Sequence, residues 1–132
     1  MPTLRFNPRD SVIVTETKLW GSLVTTSRLV FDTGASLIII PWKLATGIGL
    51  DINPQKTIQV TTASTIETAP LVNIPKVSVL GETIANVSAL VKDLPPEAGV
   101  DGLLGLSFIR HFQVHIDFQQ GKLTLERNQP RR

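Results

Sequence analysis

Short runs in which apolar and polar residues alternate recur along the chain, and the 3.6-residue spacing of an amphipathic helix is scarce. That pattern predicts a mostly β protein. Residues 11–20 (SVIVTETKLW) and 23–31 (LVTTSRLVF) are rich in β-branched and apolar types, with Gly21 and Ser22 supplying the turn between them. SLIIIP, residues 36–41, reads as a buried strand stopped by Pro41, and WKLATGIGL, residues 42–50, as a short helix closed by Gly47 or Gly49. Residues 57–69 (TIQVTTASTIETA) have strand propensity at both ends and a polar middle, the pattern of a projecting hairpin. Val77 and Val79 share a face, Leu80-Gly81-Glu82 turns the chain, and Ala85, Val87, Ala89 and Val91 alternate on the returning strand. KDLPPEAG, residues 92–99, is expected to be a loop whose two prolines exclude regular structure. A second short helix carries Phe108, Ile109 and Phe112 on one side. In the closing hairpin Val114, Ile116 and Phe118 face one way and His115 and Asp117 the other; Gln120-Gly121 turns it, and Leu123 and Leu125 alternate on the partner strand.

At 132 residues the chain has the length of one domain, divided by these patterns into an N-terminal arm (1–10), a folded domain (11–126) and a tail (127–132). With 42% hydrophobic and 18% charged residues it reads as soluble and globular, and a net charge of +2 is too small to argue for nucleic acid or a membrane surface. The chain has no cysteine, which removes disulfides and thiol chemistry and favours a reducing compartment, so a cytoplasmic location is expected. MPTLRFNPRD has no apolar core of a signal peptide, and the longest aliphatic run, Leu37 to Ile40, is too short to span a bilayer. A piece trimmed from a larger or anchored protein would read the same way.

One stretch is chemically conspicuous. In LVFDTGAS, residues 29–36, an apolar strand runs straight into Asp32, and an unpaired buried carboxylate costs several kcal/mol or takes up a proton. As three residues alone, Asp-Thr-Gly has two readings: a turn, or a catalytic carboxylate with Thr33 able to lock the loop and Gly34 able to bring backbone close or take a positive φ. The context favours the second, because ASLIII returns the chain directly into the core.

With FDTGAS, then TTAS…TAP, then DGLLGLSFIRHFQVHIDFQQGKLTL in that order over roughly residues 11–126, the chain resembles the retropepsin-like single-domain aspartic proteases. The likeness is closest to bacterial members and the eukaryotic DNA-damage-inducible proteases. The resemblance implies a closed β-barrel with one or two short helices, an active-site loop of Asp32, Thr33, Gly34, Ala35 and Ser36, and support of that loop from behind by Leu103, Leu104 and Gly105. It also implies a flap over the substrate at Thr61, Thr62, Ala63, Ser64 and Thr65, although this stretch lacks the glycine-rich tip of retroviral flaps and the chain has no tyrosine.

Peptide hydrolysis of this kind needs one ionised carboxylate to take a proton from water and a protonated one to donate to the scissile carbonyl. The other aspartates are Asp10, Asp51, Asp93, Asp101 and Asp117, and none begins a second D-T/S-G. The second acid is therefore expected from a second copy, a homodimer with its two-fold axis between two Asp32 residues. The resemblance implies the same dimer, with Thr33 hydrogen-bonded across the axis. Many two-lobed relatives have serine where this chain has Ala35; lacking that hydroxyl, the site is expected to work best at a less acidic pH. No cofactor is called for, and the substrate class is a peptide or protein. His111 and His115 stand four apart but lack a third ligand, and the sequon Asn86-Val87-Ser88 lies within a predicted strand; neither is assigned a role. Two other readings stay open: a catalytically silent peptide-binding or assembly module of the same fold, and a latent protease domain of a larger protein.

Overall fold

In a computed structural model, which describes residues 2–61 and 63–130, the chain is mostly β with two short helices. The strands are β1 (Thr3–Arg5), β2 (Val14–Trp20), β3 (Val24–Phe31), β4 (Ile38–Ile40), β5 (Thr57–Thr61), β6 (Ile66–Val79), β7 (Glu82–Val91), β8 (Gly102–Leu104), β9 (Phe112–Asp117) and β10 (Lys122–Arg127). The helices are α1 (Trp42–Gly47) and α2 (Leu106–Ile109). Hydrogen bonding runs in the order β2-β3-β8-β4-β7-β6, and β6 returns to pair with β2, so these six strands close on themselves as a barrel. β5 extends from β6 outside that ring, and a separate three-stranded sheet, β1-β10-β9, packs beside it.

Alternation explains most of this. Leu19, Leu29, Ile38, Ile40, Ile74, Val77, Leu104, Phe108, Leu123 and Leu125 are all fully or almost fully buried in one continuous cluster, so barrel, α2 and small sheet share a core. Each such side chain contributes about 1.5–3 kcal/mol by leaving water. Helix α1 starts after Pro41, and because proline offers no side-chain cap, the Asp93 carboxylate accepts from the Trp42 N–H (3.0 Å) instead. The chain leaves α1 through Gly49 at φ 74°. At the tip of the β6–β7 hairpin, Leu80 and Gly81 both have positive φ, which matches the twist of the two strands they join.

Five details differ from the pattern-based expectation, the first being that α2 ends at Ile109, so Phe112 opens β9 and does not sit on the helix. On β7 it is Ile84 that is buried and Ala85 that is exposed, because Asn86 takes a left-handed conformation (φ 57°) and moves the alternation by one residue before Val87. β6 makes the same step opposite it: Ile74 and Val77 are buried while Pro75 and Lys76 are exposed, and the Ile74↔Val87 and Val77↔Ile84 pairs remain in one register. Phe118 lies in the turn after β9 and is 60% exposed, edge-on to Phe6 with ring centroids 5.7 Å apart, because Asp117 bends the chain by accepting the N–H groups of Gln119 and Gln120. Within the loop after β7, Pro96–Ala98 form one 3₁₀ turn: proline is tolerated in the first turn of a helix, and Gly99 at φ 68° ends it. Finally, β6 is one strand through two prolines. Its ladder with β5 ends at Pro70 and its ladder with β2 begins at Lys76, so each missing N–H falls where a ladder stops.

At the chain ends, Thr3–Arg5 pair with Lys122–Thr124 of β10, and Asn128 donates from its backbone to His111 O and from its side chain to Arg110 O. Because only the left-handed backbone distinguishes them, Asn86→Ala is expected to be less stable than Asn86→Gly by about 1–2 kcal/mol in urea unfolding, both having lost the hydrogen bond from Asn73.

Candidate active site

Asp32 is the first residue beyond β3, and the loop 32–37 connects β3 to β4. Between those strands runs β8, parallel to β3 (Leu29↔Gly102, Val30↔Leu103, Phe31↔Leu104) and antiparallel to β4 (Ile39↔Leu103). The loop therefore leaves one side of β8 and returns on the other. This close threading requires glycine on both sides of the dileucine. A Cβ on Gly102 would lie 1.9 Å from the Ile39 carbonyl oxygen, and one on Gly105 would lie 2.3 Å from that of Leu37. Leu104 is fully buried beneath the loop, and Leu103 is half-buried between the flanking strands.

The loop is pinned at both ends. Asp32 donates its N–H to Leu104 O (3.0 Å), and the Ala35 N–H returns to Asp32 O (3.3 Å). Ala35 O and Ser36 O accept the N–H groups of Leu106 (2.8 Å) and Ser107 (2.9 Å), donors that the first turn of α2 cannot satisfy internally. The Gly34 N–H donates to Asp32 Oδ1 at 2.8 Å. Glycine is needed there for proximity and not for a positive φ: a Cβ would stand 3.1 Å from that same oxygen. Oδ2 of Asp32 has no hydrogen-bond partner among the described residues, nor does the Thr33 hydroxyl. Asp32 and Ala35 are half-buried, whereas Thr33, Gly34 and Ser36 are exposed. The loop thus holds one carboxylate in fixed orientation on an open face.

The predicted loop (32–36) and its support (103–105) are therefore brought together. The predicted flap is a hairpin in which Thr61 pairs with Ile66, with Ala63 and Ser64 in the bend and Thr65 leading into β6; all are exposed, and Thr62 lies outside the described residues. One pair back from the tip of this hairpin, where Val60 pairs with Glu67, the Glu67 carboxylate forms an ion pair with Lys92, which follows β7. Hydrogen bonding and charge attraction from Lys92 hold the Glu67 carboxyl below the usual range.

Three contributors escape a reading for motifs. Gly102 belongs to the same threading as Gly105, and the spacing Gly-Leu-Leu-Gly was the available signal. Ser107 accepts the Ile38 N–H (3.1 Å) and donates to Ser88 O (2.8 Å), with no sequence signal beyond its place one residue after the start of α2. Asp101 accepts from Ser27 Oγ (2.6 Å) and the Arg28 N–H (2.9 Å), so the approach to β8 is tied to β3 four residues before Asp32. These two donors, the Ser27 hydroxyl first, hold the Asp101 carboxyl below its usual range.

A carboxyl lowered on folding adds stability above its unfolded value and loses it as pH falls through the folded value. The melting-temperature gap between the wild type and Asp101→Asn is therefore expected to be wider at about pH 6 than at about pH 3, in paired thermal melts.

A sequence profile of the family described as aspartyl protease matches residues 17–108, which include both the Asp32 loop and its Leu103–Gly105 support. No curated protein sequence matches. Among solved structures, the chain is similar to a retropepsin-like aspartic protease from Rickettsia conorii, with a TM-score of 0.68 at 21% identity, covering 93% of this chain and 98% of that one. The matched family and the six-stranded barrel around β8 agree: this chain belongs to the aspartyl protease family and has the retropepsin-like fold.

Proposed function

We propose that the protein is an aspartic endopeptidase that works as a homodimer, with one Asp32 from each chain forming the catalytic pair. The observation that carries the reading is the Asp32 loop itself: a single carboxylate, fixed by Gly34 and by the β8–α2 frame, with one oxygen unengaged and its loop face exposed. Two such loops facing each other across a two-fold axis supply the two acids that the chemistry requires. Carboxylates about 3 Å apart cannot both ionise, so the pair shares one proton. The ionised member takes a proton from water as it attacks the scissile carbonyl, and the protonated member donates to the carbonyl oxygen. As the C–N bond breaks, the acid that took the water proton gives it to the leaving amine. A hydroxyl of the tetrahedral intermediate returns a proton to the other carboxylate, so the pair again holds one proton. In this reading Thr33, which is exposed and has no side-chain partner among the described residues, hydrogen-bonds across the axis.

Substrate lies extended beneath the hairpin of β5 and β6, held mostly through its backbone, with alternate side chains in pockets. In this reading Thr61, Ala63, Ser64 and Thr65 at the tip contact the peptide.

Asp32→Asn is expected to reduce cleavage of a diverse peptide mixture by about a hundredfold or more without loss of the folded dimer. Mixing separates one-chain from two-chain sites. With equal wild-type and Asp32→Asn chains freely exchanging, about a quarter of the wild-type rate is expected if both acids are needed, and about half if each chain acts alone. Peptide binding with no cleavage by the wild type would instead support a silent module of the same fold.

A further inference from the structure

We infer that Ser107 is the positioning residue of the Asp32 loop, the one side chain outside the loop that holds it in working geometry; this rests on the proposed catalytic role of Asp32. Among the described residues, the loop's own bonds run main chain to main chain or are accepted by the carboxylate of Asp32 itself. Among those residues, Ser107 brings a side chain to the edge of the loop, bonding the residue that directly follows it. Its Oγ accepts the N–H of Ile38, the first residue of β4, and donates to the carbonyl of Ser88 on β7. β4 and β7 are parallel and pair Ile38 with Ala89, so the hydroxyl stands at the start of that ladder and joins the two strands before it begins. The backbone N–H of the same residue donates to Ser36 O, at the end of the Asp-Thr-Gly-Ala-Ser loop. One residue thus fixes where the loop ends, where β4 starts, and how both sit against β7.

The geometry makes the connection to Asp32 short. Asp32 bonds to β8 at Leu104, the loop's far end bonds to α2 at Leu106 and Ser107, and the dileucine segment leads into α2 within two residues. Removing the hydroxyl leaves the N–H of Ile38, whose side chain is fully buried, and the Ser88 carbonyl without this partner. The cheapest relief is for β4 to draw back from α2, which moves the loop end and loosens the carboxylate that the loop orients. An acid displaced from its partner loses rate in the chemical step and leaves substrate affinity largely intact.

The test compares wild type, Ser107→Ala, Ser107→Thr and Asp32→Asn by steady-state kinetics and by amide hydrogen exchange. Ser107→Ala is expected to lower kcat by about tenfold with KM within about twofold. The amides of Asp32, Leu106 and Ser107, none of which bonds to the hydroxyl, are expected to exchange about tenfold faster, while those of Leu123 and Leu125 in β10 keep their protection. Ser107→Thr, which keeps the oxygen, is expected to restore both. The inference is overturned if Ser107→Ala keeps a wild-type kcat, if loop exchange is unchanged, or if β10 and loop accelerate together, since that is general destabilisation. Should the wild type fail to cleave at all, the proposed peptidase falls, and the exchange comparison alone decides whether Ser107 holds the loop.

Discussion

The rest of the molecule depends on how closely three strands of backbone can pass one another. β8 is threaded between β3 and β4 with no room for a Cβ at Gly102 or Gly105. Because β8 runs parallel to one neighbour and antiparallel to the other, the connection between those neighbours must cross its end, and that connection is the Asp32 loop. The position of the carboxylate is in this sense a consequence of strand topology. On the other side of β4 the barrel continues into β7, α2 packs against both strands, and Phe108 of α2 is fully buried in the core.

Burial and orientation then divide the work between side chains and main chain. The apolar residues Leu29, Val30 and Phe31 carry the chain to the loop inside the core, and Ile38 and Ile40 carry it back. Between them the backbone turns, and its donors and acceptors are met by β8 and by the opening turn of α2. A helix of four residues has little stability of its own; here it contributes N–H groups that no internal carbonyl can satisfy. What would be a deficit in an isolated helix becomes the means of fastening the loop.

Much of this is legible in the residues. Alternation located the two strands before Asp32 and the closing hairpin, which bury one face and expose the other. An unbroken aliphatic run located the strand after Asp32, and strand propensity around a polar middle located the 57–69 hairpin, which is exposed on both faces over most of its length. Asp-Thr-Gly and Leu-Leu-Gly marked the two halves of the site, since both place glycine where backbone must come close. What could not be read depends on pairs of strands. The matching shifts at Pro75 and Asn86 involve two positions 11 apart, and neither is interpretable without the other opposite it. Ser107 is a serine in a short helix until the fold brings Ile38 and Ser88 to its hydroxyl. Phe118 followed the alternation of β9, but the turn built on Asp117 ended the strand one residue earlier.

The frame around Asp32 is made almost wholly of main-chain hydrogen bonds, and this has a consequence for how the protein can change. A main-chain bond survives the replacement of the residue that makes it, provided the new side chain fits. The apolar positions around the loop can therefore exchange among aliphatic residues of similar volume while the carboxylate stays where it is. Tolerance ends abruptly at Gly102 and Gly105, where any side chain meets a carbonyl oxygen. Around the Asp32 loop, sequence drift has wide freedom in composition and almost none at these two glycines, so lineages can diverge greatly in residues while the loop keeps the same geometry.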